Sequence, residues 1–462
     1  MFIKKITIQN FRLFSSDKQF EIDNLNIPDG SNAGSGLNVF IGENGGGKTA
    51  LLDAFVLPIL EYKTESFSIS DFNNPTEKTE INIYSKNDFE VAGTMPKGSF
   101  VAKGFSFEAG LRSKESKTYL SSIVVSDQKF ISVDPEKPKS FSPDLRVSVN
   151  NPFKGKRFSE NDILFLDKNR LFQTRSGNFN STRFDRLMED FNHQYIKNSE
   201  IDNLNNDLND KIKREKVENN FLSEAITKFA EISGSSISLD FLDNHTPFKN
   251  AFFAKGKDNN QQILLSNLGS GYEMIFSLLY SFYLAKQGGK QLIVLIDEPE
   301  LHLHPNLQEK FIEFLLDSSK EAQIIITSHS PLLVKQVSYN DKVKIGIIKN
   351  GEEIVNVGDR LLSYISANET NFLAFDLATE EYHNELYEEL KYTHGANKGC
   401  KEFDNDFFCA VKGEIKDSPW IGHQNEVSRH TFIRNQIHHQ KDNGKTEYAK
   451  LKESIEKMRT FF

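Results

Sequence analysis

The sequence predicts an α/β fold: a parallel β-sheet carrying a phosphate-binding loop, to which an antiparallel β-meander, a helical insertion and a helical C-terminal region are added. Two segments, QLIVLI (291–296) and AQIIIT (322–327), are almost wholly apolar, which is typical of strands that a parallel sheet buries on both faces. A third short apolar strand, LNVFI (37–41), leads into a glycine-rich loop and then into a helix. Between residues 79 and 133, runs of alternating polarity predict the meander.

The composition limits the classes of protein that this chain can be. Its 462 residues are 38% hydrophobic and 26% charged, as in a globular protein. No stretch of about 18 apolar residues occurs, and the first residues read as a strand rather than a signal peptide, so we expect no membrane span. The two cysteines, Cys400 and Cys409, predict neither a disulfide framework nor a zinc site, and we expect a cytoplasmic protein. The net charge of −9 disfavours a general nucleic-acid binder.

Four regions follow from these patterns. Residues 1–180 hold the first part of the α/β domain, 236–365 its second part, and 366–462 a mainly helical C-terminal region. Residues 181–235 are polar and helical and form an insertion between the two parts. The apolar stripe of this insertion fits a short coiled-coil stub or an ordinary amphipathic helix equally well (Ile201, Leu204, Leu208 and Ile212).

The loop GENGGGKT after the first apolar strand fits the pattern G-x-x-x-x-G-K-[ST], which binds nucleotide phosphates. Backbone N–H groups around Asn44, Gly45 and Gly47 would surround phosphate oxygens, and the following helix adds the positive end of its dipole. Lys48 is expected to reach the β- and γ-phosphates, and Thr49 to ligate Mg²⁺. The sequence therefore predicts ATP and Mg²⁺ as cofactors.

Two further strands end in residues that suit phosphate chemistry. The strand QLIVLI runs into Asp297 and Glu298, the Walker B pattern. Asp297 would hold Mg²⁺ through water, and Glu298 would polarise the attacking water. The strand AQIIIT is followed by His329, which we expect to contact the γ-phosphate. These three residues complete the predicted site for ATP hydrolysis.

The segment SNLGSGYE, placed before the Walker B strand, resembles the signature motif of ABC/SMC ATPases. This resemblance implies an ABC-type P-loop ATPase domain and an ATP sandwich, in which the signature of one copy caps the nucleotide of the other. Ser270, Gly271 and Glu273 would then lie at the nucleotide of a second copy. In the same family an N-F-[RK] turn follows the first strand, which implies that Arg12 lies near the nucleotide. Asp71 lies about where the family has its glutamine loop.

The short spacing between Lys48 and Asp297 leaves no room for the long coiled coils of true SMC proteins. In this spacing the chain resembles the compact ATPases of the overcoming-lysogenization-defect group. The chain lacks the acidic motifs of that group's nuclease members. It is similar to the ATPase subunits of the Septu and PARIS anti-phage systems. That similarity implies a homo-oligomer built from ATP-sandwich dimers, a separate nuclease subunit as partner, and a phage-derived trigger.

The C-terminal segment TFIRNQIHH resembles the Arg-Asn-x-x-x-His motif of HEPN ribonucleases. In those enzymes the arginine stabilises the charged phosphate and the histidine serves as acid or base. Arg434 would be the arginine, and His438 and His439 are equal candidates for the histidine. The sequence favours a structural or partner-binding tail over an ATP-gated ribonuclease. An SMC-like DNA-repair ATPase is a third hypothesis for the whole chain.

Overall fold

The structure is a computed structural model in which the chain divides into two compact units. One comprises Met1–Leu333 with Asn340–Ile354, and the other Val334–Tyr339 with Val355–Phe462. We call them the N-terminal and the C-terminal unit. The residues that the structure describes are 2–58, 67–94, 97–111, 117–131, 146–148, 161–166, 221–234, 236–238, 252–255, 261–264, 270–287, 291–351, 353–356, 361–364, 366–420, 425–439 and 445–462.

Six of the described strands form the sheet that carries the phosphate-binding loop, in the order β15-β14-β3-β13-β12-β8. The pairs β14–β3, β3–β13, β13–β12 and β12–β8 are parallel. All residues of β3 and β13 are buried, as their apolar sequences predicted. The bounds are β3 (Leu37–Ile41), β8 (Asn161–Leu166), β12 (Gln291–Asp297), β13 (Gln323–Ser328), β14 (Lys344–Lys349) and β15 (Glu353–Asn356).

This strand order decides where the polar residues meet. Because β13 lies between β3 and β12, the carboxyl ends of these three strands share one edge of the sheet. The phosphate loop, His329 and the Asp297–Glu298 pair follow those ends. The prediction of an α/β domain with a parallel sheet is therefore confirmed, and the sheet gathers residues that are far apart in the sequence.

A second sheet, also of six described strands, is antiparallel, with the order β2-β1-β4-β5-β6-β7. Its central part, β4 to β6, is the meander that alternating polarity predicted. Buried residues of this sheet share one hydrophobic core with the helix Lys48–Val56, so the phosphate-loop helix packs against it. The bounds are β1 (Ile3–Gln9), β2 (Phe20–Ile22), β4 (Thr79–Thr94), β5 (Lys97–Leu111), β6 (Lys117–Ile131) and β7 (Arg146–Ser148).

The remaining elements of the N-terminal unit include helices Phe221–Ser233 and Ser270–Gln287, which contact each other through the ring of Phe229 against Tyr272 and Phe276. A small antiparallel sheet is formed by β9 (Ser236–Ser238), β10 (Phe252–Lys255) and β11 (Gln261–Leu264). Of the predicted insertion 181–235, the part before 221 lies outside the described residues.

The C-terminal unit is mainly helical, as predicted for residues 366–462. Its core is formed by buried aromatic and aliphatic side chains, among them Tyr382, Tyr387 and Phe408. A two-stranded ribbon joins β16 (Ser418–Pro419) to β17 (Glu426–Val427). The helices are Ala367–Phe375, Glu380–Gly395, Cys400–Phe403 continued by a π-helical segment Asp404–Cys409, Arg429–His438 and Tyr448–Arg459.

No helix in the described parts of either unit is long and apolar enough to cross a membrane.

Candidate functional site

The phosphate loop depends on its glycines. Gly42, Gly45 and Gly47 adopt φ angles of 155°, 78° and 105°, a region that residues with a Cβ rarely occupy. A Cβ placed on Gly42 would lie 2.3 Å from the carbonyl oxygen of Ile348, so this part of the loop passes directly against the end of β14. Gly47 then caps the helix Lys48–Val56, whose first N–H groups face the loop. The local geometry is that of an anion-binding helix terminus.

Lys48 lies over this loop. Its Nζ donates hydrogen bonds to the carbonyl oxygens of Gly42, at 2.9 Å, and Glu43, at 2.8 Å. The residue is 3% exposed, so the ammonium group is held inside the loop rather than in solvent. This is the position from which a lysine reaches phosphate oxygens.

Thr49 and Asp297, both of which the sequence assigns to Mg²⁺, lie next to each other. The Thr49 hydroxyl donates to Oδ2 of Asp297 at 3.0 Å, and the Thr327 hydroxyl donates to its Oδ1. Asp297 is 1% exposed. A hydroxyl and a carboxylate, both hard oxygen ligands, match the donor preference of Mg²⁺. These residues therefore fit the cation that the sequence predicts, and Thr327 is a second support for Asp297 that sequence reasoning missed.

Glu298 and His329 contact each other. Oε1 of Glu298 lies 3.0 Å from Nε2 of His329. Glu298 has a φ angle of 47°, in the left-handed region that costs a non-glycine residue about 1 kcal/mol or more. Its backbone N–H donates to the carbonyl oxygen of Thr327 at 3.1 Å, which ties the turn to β13. A carboxylate and an imidazole in hydrogen-bond reach form a pair that can accept and pass a proton.

Glu300 is a carboxylate that sequence reasoning did not single out. It lies in the 3-10 turn Pro299–His302, and its Oε1 accepts hydrogen bonds from the Ser328 hydroxyl at 2.8 Å and the His329 backbone N–H at 2.7 Å. Burial raises the pKa of Glu300, although hydrogen bonds from its own backbone N–H, from His329 and from Ser328 oppose that shift. The acidic run Asp-Glu-Pro-Glu was the only signal for it, and that run does not specify a partner.

Arg12 is fixed by two carboxylates. Its NH1 lies 2.7 Å from Oδ2 of Asp53, and its Nε lies 2.8 Å from Oδ1 of Asp71. Burial lowers the pKa of Arg12, but the charges of Asp53 and Asp71 outweigh it and the net pKa is raised. Asp53 belongs to the phosphate-loop helix, so this arginine joins the turn after β1 to that helix. A nucleotide contact for Arg12 remains a prediction, and Asp71 serves here as an ion-pair partner.

The signature residues lie at the start of a helix. Ser270 begins Ser270–Gln287, Gly271 is buried and Glu273 follows in the first turn. Residues 265–269 and the side chains of Ser270 and Glu273 lie outside what the structure describes. A contact of Ser270, Gly271 and Glu273 with the nucleotide of a second copy stays a prediction.

In the C-terminal unit, Arg434 lies on the helix Arg429–His438, and one guanidinium nitrogen is 3.4 Å from Oε1 of Glu388. His438 is the last residue of this helix, and His439 follows it as the C-cap, so the helix does not continue past the two histidines. Both histidines are exposed. Burial, followed by the charge of Arg434, lowers the pKa of His438. A ribonuclease role for these residues stays a prediction.

Comparison with known proteins agrees with this geometry. Residues 1–334 match the family described as AAA ATPase domain. The chain is 30% identical over 108 residues to Septu protein PtuA of Bacillus thuringiensis, covering 21% of this chain and 27% of that protein. It is 26% identical over 304 residues to protein ea59 of Escherichia phage lambda, covering 65% and 46%. The chain thus spans less than half the length of these two curated relatives.

A relative that is matched over more of its length is the retron Vc95 probable ATPase of Vibrio cholerae serotype O1 biovar El Tor. It is 24% identical over 359 residues, covering 66% of this chain and 68% of that protein. Among solved structures, an Smc head bound to the C-winged helix domain of ScpA covers 77% of this chain and 98% of its own, with 16% identity and a TM-score of 0.49.

Proposed function

The chain belongs to the AAA ATPase domain family and is an ATP hydrolase, and from this premise we propose that it is the ATPase subunit of a bacterial anti-phage defence complex, in which it acts as sensor and scaffold and controls a partner nuclease. Its relatives include Septu protein PtuA and the proteins named retron Vc95 probable ATPase and retron Ec83 probable ATPase. The observation that carries the proposal is the convergence of Lys48, Thr49, Asp297, Glu298 and His329 at one sheet edge, in a chain with relatives of these names.

The proposed reaction uses each of these groups once. Lys48 and the loop N–H groups bind the β- and γ-phosphates. Thr49 and Asp297 would hold Mg²⁺, which would neutralise charge on the phosphates. Glu298 accepts a proton from the attacking water, whose oxygen bonds to the γ-phosphorus while the bond to the β–γ bridging oxygen breaks. His329, held 3.0 Å from Glu298, stabilises the γ-phosphate as its charge is redistributed.

A second copy of the chain takes part in the proposed cycle. By resemblance to the ABC/SMC ATPases, Ser270 and Gly271 of one copy would cap the nucleotide of the other. ATP would then join two copies, and hydrolysis would separate them. In the complex, this cycle would decide when the nuclease is held and when it is released.

The test is protection from phage. The chain and its flanking genes are expressed in a phage-sensitive bacterium, and plaque counts are compared for wild type, Lys48→Ala, Glu298→Gln and, as a matched control, the exposed Lys401→Ala. We expect protection by wild type and Lys401→Ala, and loss with the two site variants. A tagged chain should also co-purify with a nuclease from the same genes. Protection that survives Lys48→Ala would contradict the proposal, as would ribonuclease activity of the chain alone that Arg434→Ala abolishes.

A further inference from the structure

Glu300 makes contacts to which the proposed reaction gives no role. Two hydrogen bonds from outside the turn converge on one oxygen, Oε1: one from the hydroxyl of Ser328, the last residue of β13, and one from the backbone N–H of His329, which follows it. The side chain of Glu300, in the turn after β12, thus fixes the backbone of His329 just beyond the end of the neighbouring strand β13. Ser328 and His329 are 28 and 29 residues from Glu300 in the sequence, so these hydrogen bonds join two distant segments.

The turn that carries Glu300 is itself anchored. The side-chain amide of Gln308 donates to the carbonyl oxygens of Glu300, at 3.2 Å, and Leu303, at 2.9 Å. The backbone N–H of Leu301 donates to the carbonyl oxygen of Glu298 at 3.2 Å. Gln308 lies on the helix Pro305–Ser318, so this helix holds the turn, and the turn holds the start of the His329 segment.

The two oxygens of the Glu300 carboxylate differ in their hydrogen bonding. Among the described residues, Oε2 of Glu300 is buried and has no hydrogen-bond partner. A buried acceptor without a partner destabilises a fold, so this oxygen is a cost that the two hydrogen bonds to Oε1 must offset. What Glu300 provides beyond packing is the single oxygen that accepts from both Ser328 and His329.

We infer that Glu300 is a positioning residue for ATP hydrolysis, which acts through His329 by fixing the backbone from which the imidazole reaches Glu298. The inference rests on the proposed role of His329. It follows that a displacement of the turn Pro299–His302 moves the imidazole relative to Glu298, and that the rate of the chemical step responds to the conformation of this turn.

The experiment measures steady-state ATP turnover of the full chain. Glu300→Asp withdraws the carboxylate by one methylene group, so we expect kcat to fall about 10- to 100-fold, while KM for ATP changes less than about 3-fold. Glu300→Ala should behave alike. Glu300→Gln keeps an oxygen for both donors and should stay within about 3-fold of wild type. The exposed Glu309→Ala, on the adjacent helix, is the matched control.

A double-mutant cycle separates positioning from a merely structural role. If Glu300 acts through His329, Glu300→Asp adds no further loss to His329→Ala, because the group that it positions is gone. An additive loss, or a wild-type kcat for Glu300→Asp, would overturn the inference. If His329→Ala alone leaves kcat unchanged, the proposed role of His329 fails, and the inference fails with it. If His329→Ala lowers kcat but the losses of the two substitutions are additive, His329 keeps its proposed role and only the inference about Glu300 is wrong.

Discussion

His329 in the N-terminal unit and His430 in the C-terminal unit show how the same residue type comes to serve two purposes. His329 follows the end of β13, its side chain is 25% exposed, and it contacts the carboxylate of Glu298. His430 lies within a helix, is 2% exposed, and its Nδ1 is 2.7 Å from the Ser454 hydroxyl. The first lies at the edge of a parallel sheet, the place where such sheets carry their ligand sites. The second fills a helical core.

His430, His383 and Ser454 form a buried cluster whose role is packing within the helical core. The Ser454 hydroxyl also lies 2.9 Å from Nε2 of His383, and since a hydroxyl has one hydrogen, it donates to one imidazole and accepts from the other. The outer ring nitrogens, Nδ1 of His383 and Nε2 of His430, have no hydrogen-bond partner among the described residues. Burial lowers the pKa of both histidines, for His430 to about 4, so both are neutral near pH 7. We expect these residues to affect stability and not catalysis.

The largest difference between the units should appear in turnover. Glu298→Gln removes the group that accepts the proton, and we expect kcat for ATP hydrolysis to fall about 10²- to 10³-fold, with ATP binding retained. The measurement is phosphate release alongside ATP binding, with Glu309→Gln as control. More than a tenth of the wild-type rate in Glu298→Gln would mean that another group accepts the proton.

The largest effect on stability should come from the C-terminal unit. Arg459 lies 3.2 Å from Oε1 of Glu369, a carboxylate in a fully buried residue, and its guanidinium carbon is 5.5 Å from the Phe372 ring centre. Arg459→Ala leaves this buried charge without its partner, which we expect to reduce the free energy of unfolding by about 3 kcal/mol. Denaturant unfolding followed by Trp420 fluorescence reports on this unit, because Trp420 is the single tryptophan of the chain.

The control for that measurement is Lys450→Ala, which removes an exposed ion pair with Glu447 and should change the unfolding free energy by less than about 0.5 kcal/mol. Under conditions where Arg459→Ala is folded, its kcat for ATP should equal that of wild type. A large loss of kcat with intact folding would break the distinction between the two units.

The same unit should lose stability in acid. The pKa of His430 is about 4 in the folded chain, chiefly because of burial and then the charges of Arg429 and Lys457, against about 6.5 when unfolded. As the pH falls, the His430 imidazole is therefore protonated in the unfolded chain before it is protonated in the folded chain. The contribution of His430 to stability is fully present above pH 6.5 and declines by about 3 kcal/mol as the pH falls towards 4, and His383, whose pKa burial also lowers, adds to the loss. His430→Asn should flatten this dependence as read by Trp420, and His439→Gln should not. An unchanged slope in His430→Asn would contradict the account.

The smallest effect concerns cation affinity. Thr327→Val removes the hydroxyl that donates to Oδ1 of Asp297 but keeps the shape of the side chain. Since partners of a metal ligand orient it, we expect the Mg²⁺ concentration for half-maximal turnover to rise about 10-fold, with kcat at saturating Mg²⁺ nearly unchanged. Titration of turnover against Mg²⁺, with Thr370→Val in the other unit as control, checks this. An unaltered Mg²⁺ requirement would show that Thr327 does not hold Asp297 for the cation.

Sequence reasoning predicted the parallel sheet, the meander and the resemblance to Septu and related ATPases, and these predictions are confirmed. A loop pattern, a strand type and an acidic strand end are local features, so they can be read without a structure. Glu300, Asp53 and Thr327 could not be found in this way, because their importance comes from partners that only the folded sheet brings near. His329 was singled out by its place at the end of a strand, whereas no local pattern indicated that His383 is buried.

The most direct test of the central claim, that chemistry belongs to the N-terminal unit, measures ATP hydrolysis and RNA cleavage by the purified chain for wild type, Lys48→Ala and Arg434→Ala. We predict ATP turnover by wild type and Arg434→Ala, its loss in Lys48→Ala, and no RNA cleavage by any of the three. RNA cleavage by wild type that is lost in Arg434→Ala, or ATP turnover that survives Lys48→Ala, would contradict the claim.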